Sequence, residues 1–421
     1  MKLFRVGICA LLAFSVLAFG SVEEWAQAVL EVGAAVLLVL WAARLYRQKA
    51  EQLVIPQEIL PLAGFALVAI TQWVFRLTAS RYYTRTELQL LALYMIVIFL
   101  MSQAYSRTSH WRGFLWFLMS LGFFVSIFGI LQYVTNAPKM YWVRTLRFGG
   151  LPFGPYVNRN HFAGFAEMMI PVALVPLVLG KVRRERLFLV GLFALVPIVA
   201  LLLSASRGGI ISLAVQLAVL ILLLLVRKVR GRNVMVGGIV VLCAAMMVSW
   251  IGVQQILNRF SPQALEVSVE KRKAMRDDTW RLFLDHPVIG TGLGTFEMVF
   301  PPYDSLYDGK VVNHAHNDYL EALAETGLIG GLCCALFLGV ILANSMRALE
   351  ELGSSFAASL NISGLIACVG ILVHSLVDFN LHIPANALLF FVSAHMATAR
   401  LQPAIPGVPN HRTERRHIRK Q

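Results

Sequence analysis

The chain has 421 residues, of which 58% are hydrophobic and only 14% charged, and its mean hydropathy is +0.69. This composition excludes an ordinary water-soluble domain, and its solid apolar runs predict a polytopic all-α membrane protein rather than a β-barrel. The excess of 37 basic over 23 acidic residues is interpreted as a topology signal, and we expect no binding of nucleic acid.

About twelve transmembrane helices are predicted. Residues 1–20 could be a cleaved signal peptide, but a second apolar run follows almost at once, which favours a retained first helix. The other spans are predicted at 25–43, 58–75, 87–104, 113–134, 161–180, 187–204, 208–226, 234–254, 319–346, 358–377 and 384–399. We divide the chain into N-terminal transmembrane helices (1–140), a catalytic membrane region (141–400) and a basic cytoplasmic tail (401–421).

The distribution of basic residues predicts the orientation. A cytoplasmic N-terminus places these clusters inside: Arg44/Arg47/Lys49, Arg107/Arg112, Lys181/Arg183/Arg184/Arg186, Arg227/Lys228/Arg230/Arg232 and the tail from Arg412 to Lys420. Segments 76–86, 135–160 and 255–318 then face the periplasm, although they carry Arg76, Arg81, Arg85, Arg144, Arg147, Arg159, Arg272, Arg276 and Arg281. The group from Arg76 to Arg85 is most simply explained by lipid headgroups. For the others, the pattern predicts an anionic ligand on the outer face.

The long periplasmic loop, 255–318, is predicted to be structured. Residues 263–285 favour a helix with Trp280, Leu282, Phe283 and Leu284 as its apolar set, which His286-Pro287 ends. The stretch Gly290-Thr291-Gly292-Leu293-Gly294 resembles a dinucleotide fingerprint only superficially. Because no βαβ unit surrounds it, we interpret it as a tight turn.

Polar motifs cluster at the ends of four predicted spans. They are Pro155 to Phe162, Ser204-Ala205-Ser206-Arg207-Gly208-Gly209, Val312 to Glu321, and His374 to His382. With Arg276 they could line one cavity, since polar residues at a membrane boundary are costly without a use. Simpler interpretations stay open: His314 to Asp318 as a helix cap, Arg207 as a snorkelling side chain, and His374 with Asp378 as an internal pair four residues apart.

The order of these motifs resembles the O-antigen ligase and polymerase superfamily. The resemblance covers roughly residues 150–390 and is carried by Asn158-Arg159-Asn160-His161-Phe162-Ala163, Ser204 to Gly208, Arg276 with Trp280, His286 to Gly292, and His314 to Glu321 followed by Glu325-Thr326-Gly327. It implies a multi-span inner-membrane glycosyltransferase that moves glycans from an undecaprenyl pyrophosphate carrier, with its active site facing the periplasm. The acceptor would be lipid A core, a lipid-linked glycan or a protein hydroxyl, and the motif from His374 to Pro384 favours a polymerase slightly.

The resemblance also implies roles for individual residues. Arg207 and Arg276 match the family's functional arginines, His316 matches its characteristic histidine, and His314 is the second choice. Guanidinium groups suit the pyrophosphate leaving group, and imidazole suits the proton of the attacking hydroxyl; alternatively, His316 only binds phosphate. Side chains expected to bind substrate are Arg159, Asn160, His161, Asn317, Tyr319, Glu321, His374 and Asp378.

No cofactor is expected, and the spacing of carboxylates and histidines does not indicate a metal site, so we expect metal-independent, inverting transfer. Expected partners are the lipid-linked donor and acceptor, membrane lipids and a chain-length regulator. A non-enzymatic flippase or secondary transporter is the alternative function. A carrier should place its charges near the middle of the bilayer, whereas the polar motifs here lie at span ends.

Overall fold

The structure is a computed structural model that describes residues 1–47, 53–135, 139–145, 151–229, 231–251, 262–307, 309–351 and 355–401. Several predicted features lie outside the described residues: Lys49, Arg147, Arg230, the start of the long loop at 255–261 and the tail from 402. The helices in the described ranges are α1 Lys2–Leu17, α2 Glu24–Arg47, α3 Ile59–Val74, α4 Arg81–Ala104, α5 Thr108–Val134, α6 Arg159–Val178, α7 Leu187–Leu203, α8 Arg207–Val226, α9 Arg232–Ile251, α10 Pro262–Asp285, α11 Phe296–Val299, α12 Asp318–Glu350, α13 Phe356–His374 and α14 Pro384–Thr398. Short 3-10 helices occupy Phe19–Ser21, Arg184–Arg186, Pro301–Tyr303 and Asn380–His382.

Each of the twelve predicted spans coincides with one of these helices. Eight helices in the described part of the chain are long and apolar enough to cross a membrane, namely α2, α4, α5, α6, α7 with its preceding turn, α8, α12 and α13. Helix α3 and the part of α9 from Asn233 to Ser249 are shorter apolar helices, and α1 and α14 have 16 and 15 residues. The polytopic all-α architecture is therefore confirmed, while the count of twelve and the orientation stay predictions.

Helix α6 lies at the centre of the molecule. All of its membrane-spanning residues are buried, and it packs against α5, α7, α8, α9, α13 and α14. One apolar core cluster contains side chains from Phe4 in α1 to Ala397 in α14. The two ends of α6 and of its neighbours are thus fixed by packing rather than by loops, which gives side chains at these ends defined positions.

The described part of the long loop is structured, as predicted. Helix α10 packs on α12, and a second small core joins Leu282 and Phe283 to Phe296, Phe300 and Ala324. Within the predicted apolar set, Leu282 and Phe283 are buried, whereas Trp280 and Leu284 are 46% and 55% exposed. Leu284 follows Phe283 by about 100° around the helix and so leaves the buried face, whereas the Trp280 ring still contacts Phe283, at a centroid distance of 5.0 Å.

The glycine-rich stretch forms a tight turn against a break in α12. Gly290, Gly292 and Gly294 all have positive φ, and Gly327 within α12 has φ 64° and ψ −167°. A Cβ on Gly290 would overlap the Glu325 carbonyl, and one on Gly327 would overlap the Val288 carbonyl. Two backbones therefore touch where no side chain fits, which fixes the loop to the membrane helix.

Candidate functional site

A polar cavity of about 140 Å³ lies where α6, α8, α10 and the end of α13 meet. Three arginines from three different segments line it: Arg159, Arg207 and Arg272. The remaining lining residues are Asn160, Ala205, Gly208, His374, Val377 and Asp378. A cavity with this lining favours an anion, since its positive side chains outnumber the carboxylate of Asp378.

Two helices begin at this cavity. The Asn158 side chain caps α6 by accepting a hydrogen bond from Asn160 N at 2.9 Å, and the Ser206 side chain caps α8 through Gly209 N at 3.2 Å. These caps fix Arg159 and Arg207 as the first residues of their helices. The positive ends of both helix dipoles therefore add to the charge of the arginines.

Gly208 lets an imidazole reach the cavity. A Cβ at this position would lie 2.5 Å from Cδ2 and Nε2 of His374. The other ring nitrogen of His374, Nδ1, pairs with the buried carboxylate of Glu167 at 3.3 Å. The glycine next to Arg207 thus serves close packing, and His374 pairs with Glu167 in α6 rather than with Asp378 four residues on.

His316 and Asp378 form the central pair of the site. Nδ1 of His316 lies 3.2 Å from Oδ1 of Asp378, whose other oxygen accepts a hydrogen bond from Asn160 Nδ2 at 2.7 Å. Asp378 is 1% exposed and His316 is 31% exposed. With Nδ1–H donating to the carboxylate, Nε2 of His316 is left to accept a proton from a ligand.

The Asp378 carboxylate is held in its ionised form. Burial alone would raise the pKa of Asp378, but the hydrogen bond from His316 and the nearby imidazoles of His161 and His374 lower it well below its ordinary value. Nε2 of His161 lies 4.0 Å from Oδ1 of Asp378, which is too far for a hydrogen bond. Asp378 therefore gathers histidines from three segments of the chain around one negative charge.

A second polar cluster lies beside this pair. Glu321 is 1% exposed and accepts hydrogen bonds from Ala315 N at 2.7 Å and from His314, whose Nδ1 is 2.7 Å away. His382 lies between two carboxylates, with Nε2 3.2 Å from Glu321 and Nδ1 2.8 Å from Asp318. Burial would lower the pKa of His382, but Glu321 and Asp318 raise it well above its ordinary value.

Two of the residues predicted to bind substrate, Asn317 and Tyr319, also make structural contacts. Asn317 is the N-cap of α12, where its Oδ1 accepts from Tyr319 N and Leu320 N at 3.1 and 3.0 Å. The Tyr319 hydroxyl donates to the Leu372 carbonyl at 2.8 Å. The capping interpretation of this stretch is therefore correct for Asn317, while His314, His316 and Glu321 point to other partners.

Most of the predicted residues lie together in the structure. The arginine of the long loop that lines the cavity is Arg272, one turn before the predicted Arg276. Arg159, Asn160, Arg207, His374 and Asp378 line the cavity, and His316 contacts Asp378. On α10 the lining residue is Arg272, and Arg276 lies one turn further along the helix, about 6 Å away along the axis. The spacing of four residues places both arginines on one face, so the sequence could not show which of them reaches the cavity.

Three partners of these residues were missed by the sequence analysis: Glu167, Asp318 and His382. Glu167 lies in the middle of an apolar run, where a carboxylate at a membrane helix is itself a signal of function. Asp318 and His382 were within polar motifs, but 64 residues separate them, and only the fold shows that they pair.

Residues 168–335 match the family model described as O-Antigen ligase. The protein is a membrane protein with an O-antigen ligase domain. No curated protein matches the chain.

The matched residues begin at Met168, directly after Glu167. They include Arg207, Arg272, Arg276 and the stretch from His314 to Gly327. The resemblance expected from the sequence is thereby confirmed over this part of the chain. Asn160 and Asp378, which hold each other and His316 in place, lie outside the matched residues. The roles of the individual residues stay predictions.

Proposed function

We propose that this protein transfers a glycan from undecaprenyl pyrophosphate to a sugar hydroxyl at the periplasmic face of the bacterial inner membrane. The observation that carries the proposal is the cavity where three arginines and two helix N-termini meet the His316–Asp378 pair. Two acceptors are compatible with this activity. The acceptor is a lipid-linked glycan if the protein is a polymerase, and lipid A core if it is a ligase.

The arginines would bind the pyrophosphate of the donor. As the hydroxyl oxygen attacks C1 of the donor sugar, the bond from C1 to the pyrophosphate oxygen breaks and the leaving group gains negative charge. Planar guanidinium groups in a cavity fixed by helix packing stabilise this charge as it develops. Direct displacement of an α-linked donor would invert the anomeric centre.

His316 would accept the proton that the attacking hydroxyl loses. Asp378 holds the ring through Nδ1, which sets the tautomer and stabilises the imidazolium that forms. Asn160 in turn orients Asp378 from α6. The proton leaves His316 to solvent, and undecaprenyl pyrophosphate departs as the second product.

A second cavity, of about 380 Å³, would accommodate a hydrocarbon chain of a lipid-linked substrate. It lies between α3, α4, α12 and α14, and its lining is mainly apolar, with Phe65, Leu91, Phe337 and Phe390 among its side chains. Asp318, Glu325 and His382 line its polar part. A lipid could therefore hold its chain in the membrane while its head lies near the polar clusters.

The placement of the charges argues against a carrier. Arg159 and Arg207 are the first residues of α6 and α8, and His374 is the last residue of α13. A carrier for a lipid-linked oligosaccharide would need polar groups along its path at the middle of the bilayer. Charges at helix ends instead favour transfer at one membrane surface.

The test is the glycan profile of a deletion strain complemented with the wild type, Arg207→Ala or His316→Ala. Arg281→Ala and His286→Ala, at exposed positions of the same loop, serve as controls, and membrane levels of all variants are compared. If polymer ladders disappear while single repeat units stay on lipid A core, the protein is a polymerase. Full-length polymer that accumulates on the carrier identifies a ligase. Site variants with the profile of the controls would overturn the assignment.

A further inference from the structure

His314, Glu321 and His382 form a compact group of potential metal ligands. Each offers one ligand atom, and these atoms all lie within 4.8 Å of one another. The three residues come from separate segments: the stretch before α12, the first turn of α12, and the 3-10 helix Asn380–His382. A bound ion would therefore join three segments that meet at the membrane boundary.

Outer contacts hold the group in position. The second nitrogen of His382, Nδ1, faces Oδ1 of Asp318 at 2.8 Å, and Oδ2 of Asp318 accepts from Ser375 Oγ and Leu381 N. The second oxygen of Glu321 accepts from Ala315 N at 2.7 Å. A histidine oriented by a carboxylate behind it is the usual arrangement around protein-bound zinc.

The charges in this region also favour a cation. Asp318 and Glu321 are both buried acidic side chains in the first turn of α12. A buried carboxylate needs a counter-charge, because loss of hydration penalises its ionised form. A divalent ion bound by Glu321 beside Asp318 would supply that counter-charge.

We propose that His314, Glu321 and His382 bind a divalent transition metal ion of the zinc class. Two imidazoles and one carboxylate suit zinc, with ligand bonds of about 2.0–2.2 Å, and small side-chain shifts from the observed spacing would accommodate them. The side chains of His314 and His382 are 28% and 21% exposed, which leaves room for a water as fourth ligand. The sequence spacing could not indicate this site, because His382 lies 61 residues after Glu321.

The ion would position the catalytic histidine rather than take part in the transfer. His316 pairs with Asp378, not with this group, and the Phe379 ring contacts both His314 and His316, at centroid distances of 4.4 and 4.8 Å. Binding at His314 would fix the backbone two residues before His316, which has a left-handed conformation with φ 48°.

The experiment measures metal bound to the purified full-length protein in detergent, after incubation with zinc and desalting. We expect about one equivalent in the wild type, in His286→Ala and in His316→Ala, and at least tenfold weaker binding in His314→Ala and His382→Ala. Asp318→Asn should weaken binding by about 10- to 100-fold, as for other partners behind a zinc-bound histidine.

Cobalt gives a second readout that needs no variant. Cobalt bound by two imidazoles and a carboxylate at a site with four ligands should produce visible absorption bands, which zinc should then displace. The proposal is overturned if the wild type retains no zinc and shows no such bands, or if His314→Ala and His382→Ala fold and bind zinc as the wild type does. Because metal content is measured without substrate, this result does not depend on the proposed transfer reaction.

Discussion

Replacing Asp378 by asparagine tests whether the charge behind His316 matters for transfer. The substitution conserves size in a side chain that is 1% exposed, so no cavity is created. Oδ1 of Asp378 accepts from its own neighbour Phe379 N and from His316, whereas Oδ2 accepts from the Asn160 amide. The new NH2 group should take the Oδ2 position, where Asn160 can turn its own amide oxygen towards it. The fold and the His316 contact are then preserved, and only the negative charge is lost.

The size of the effect follows from the distance between the two groups. Unit charges 3.2 Å apart interact by about 5 kcal/mol at an effective dielectric constant of about 20, which sets an upper limit for the stabilisation of the imidazolium. His316 is 31% exposed, so water screens part of this energy. A general base typically contributes about 10²- to 10⁴-fold. We therefore expect Asp378→Asn to lower kcat by about 10³-fold, equivalent to about 4 kcal/mol.

The assay follows polymer or ligated product formed from a lipid-linked donor by purified protein in detergent or vesicles. Asp277→Asn, at an exposed position on α10, is the matched control and should keep the wild-type rate. Asp277→Asn should unfold at the wild-type temperature, whereas Asp378→Asn should unfold at a lower one, because a carboxyl whose pKa is lowered by folding stabilises the fold in its ionised form. The rates are therefore compared well below both unfolding temperatures. A kcat for Asp378→Asn within threefold of the wild type would show that His316 needs no charged partner, and the role given to the pair would be wrong.

Three further predictions concern the cavity and the loop. Arg272→Ala should raise KM for the lipid-linked donor by about tenfold or more, and Arg276→Ala should raise it less, because only Arg272 lines the cavity. Gly327→Ala should destabilise the protein by more than about 3 kcal/mol, because the new methyl group overlaps a backbone carbonyl and the residue has a conformation accessible essentially only to glycine. Gln72→Leu should cost about 3 kcal/mol and loosen the loop, because the amide donates to two backbone carbonyls at 2.7 Å and accepts from a backbone N–H at 3.1 Å.

Each of these predictions has its own measurement. Donor titrations compare the two arginine variants, and equal KM values would contradict the selection of Arg272. For the glycine, Gly339→Ala in the same helix is the control, since nothing lies within 4 Å of its new methyl group and membrane levels should be unchanged. For Gln72, protease cleavage between 262 and 307 should rise in the variant; unchanged protection would show that the side chain does not anchor the loop.

The helices of this protein could be predicted well from its sequence, because hydrophobicity determines them locally. Each of the twelve predicted segments coincides over most of its length with a helix of the described residues, and the predicted loop helix at 263–285 matches α10 to within a residue. The Gly290 to Gly294 turn was also predicted correctly, since glycines without a βαβ unit favour a turn. Which side chains of the loop helix are buried was harder to predict, because Trp280 and Leu284 are exposed although they are apolar.

The candidate site could be predicted only in part, because its contacts join distant segments. His316 and Asp378 are 62 residues apart, and Asn160 and Asp378 are 218 apart. Motif order identified all three residues but not their pairing. The partners of His374 and His382 depend on how α6, α12 and α13 pack, which no local pattern reveals.

The contact between the Gly290 turn and the Gly327 break couples two segments that are distant in the sequence. Exchange of one segment between related proteins therefore requires a compatible second segment. Residues 287–295 and 325–328 hold each other by backbone hydrogen bonds, among them Gly292 N to the Glu325 carbonyl at 2.9 Å and Leu328 N to the Pro287 carbonyl at 2.8 Å. A relative's loop could therefore be grafted onto this protein only together with the matching part of its α12. Recombination with a crossover between the two segments should yield a loop that fits its helix only where both parents have glycine at positions 290 and 327.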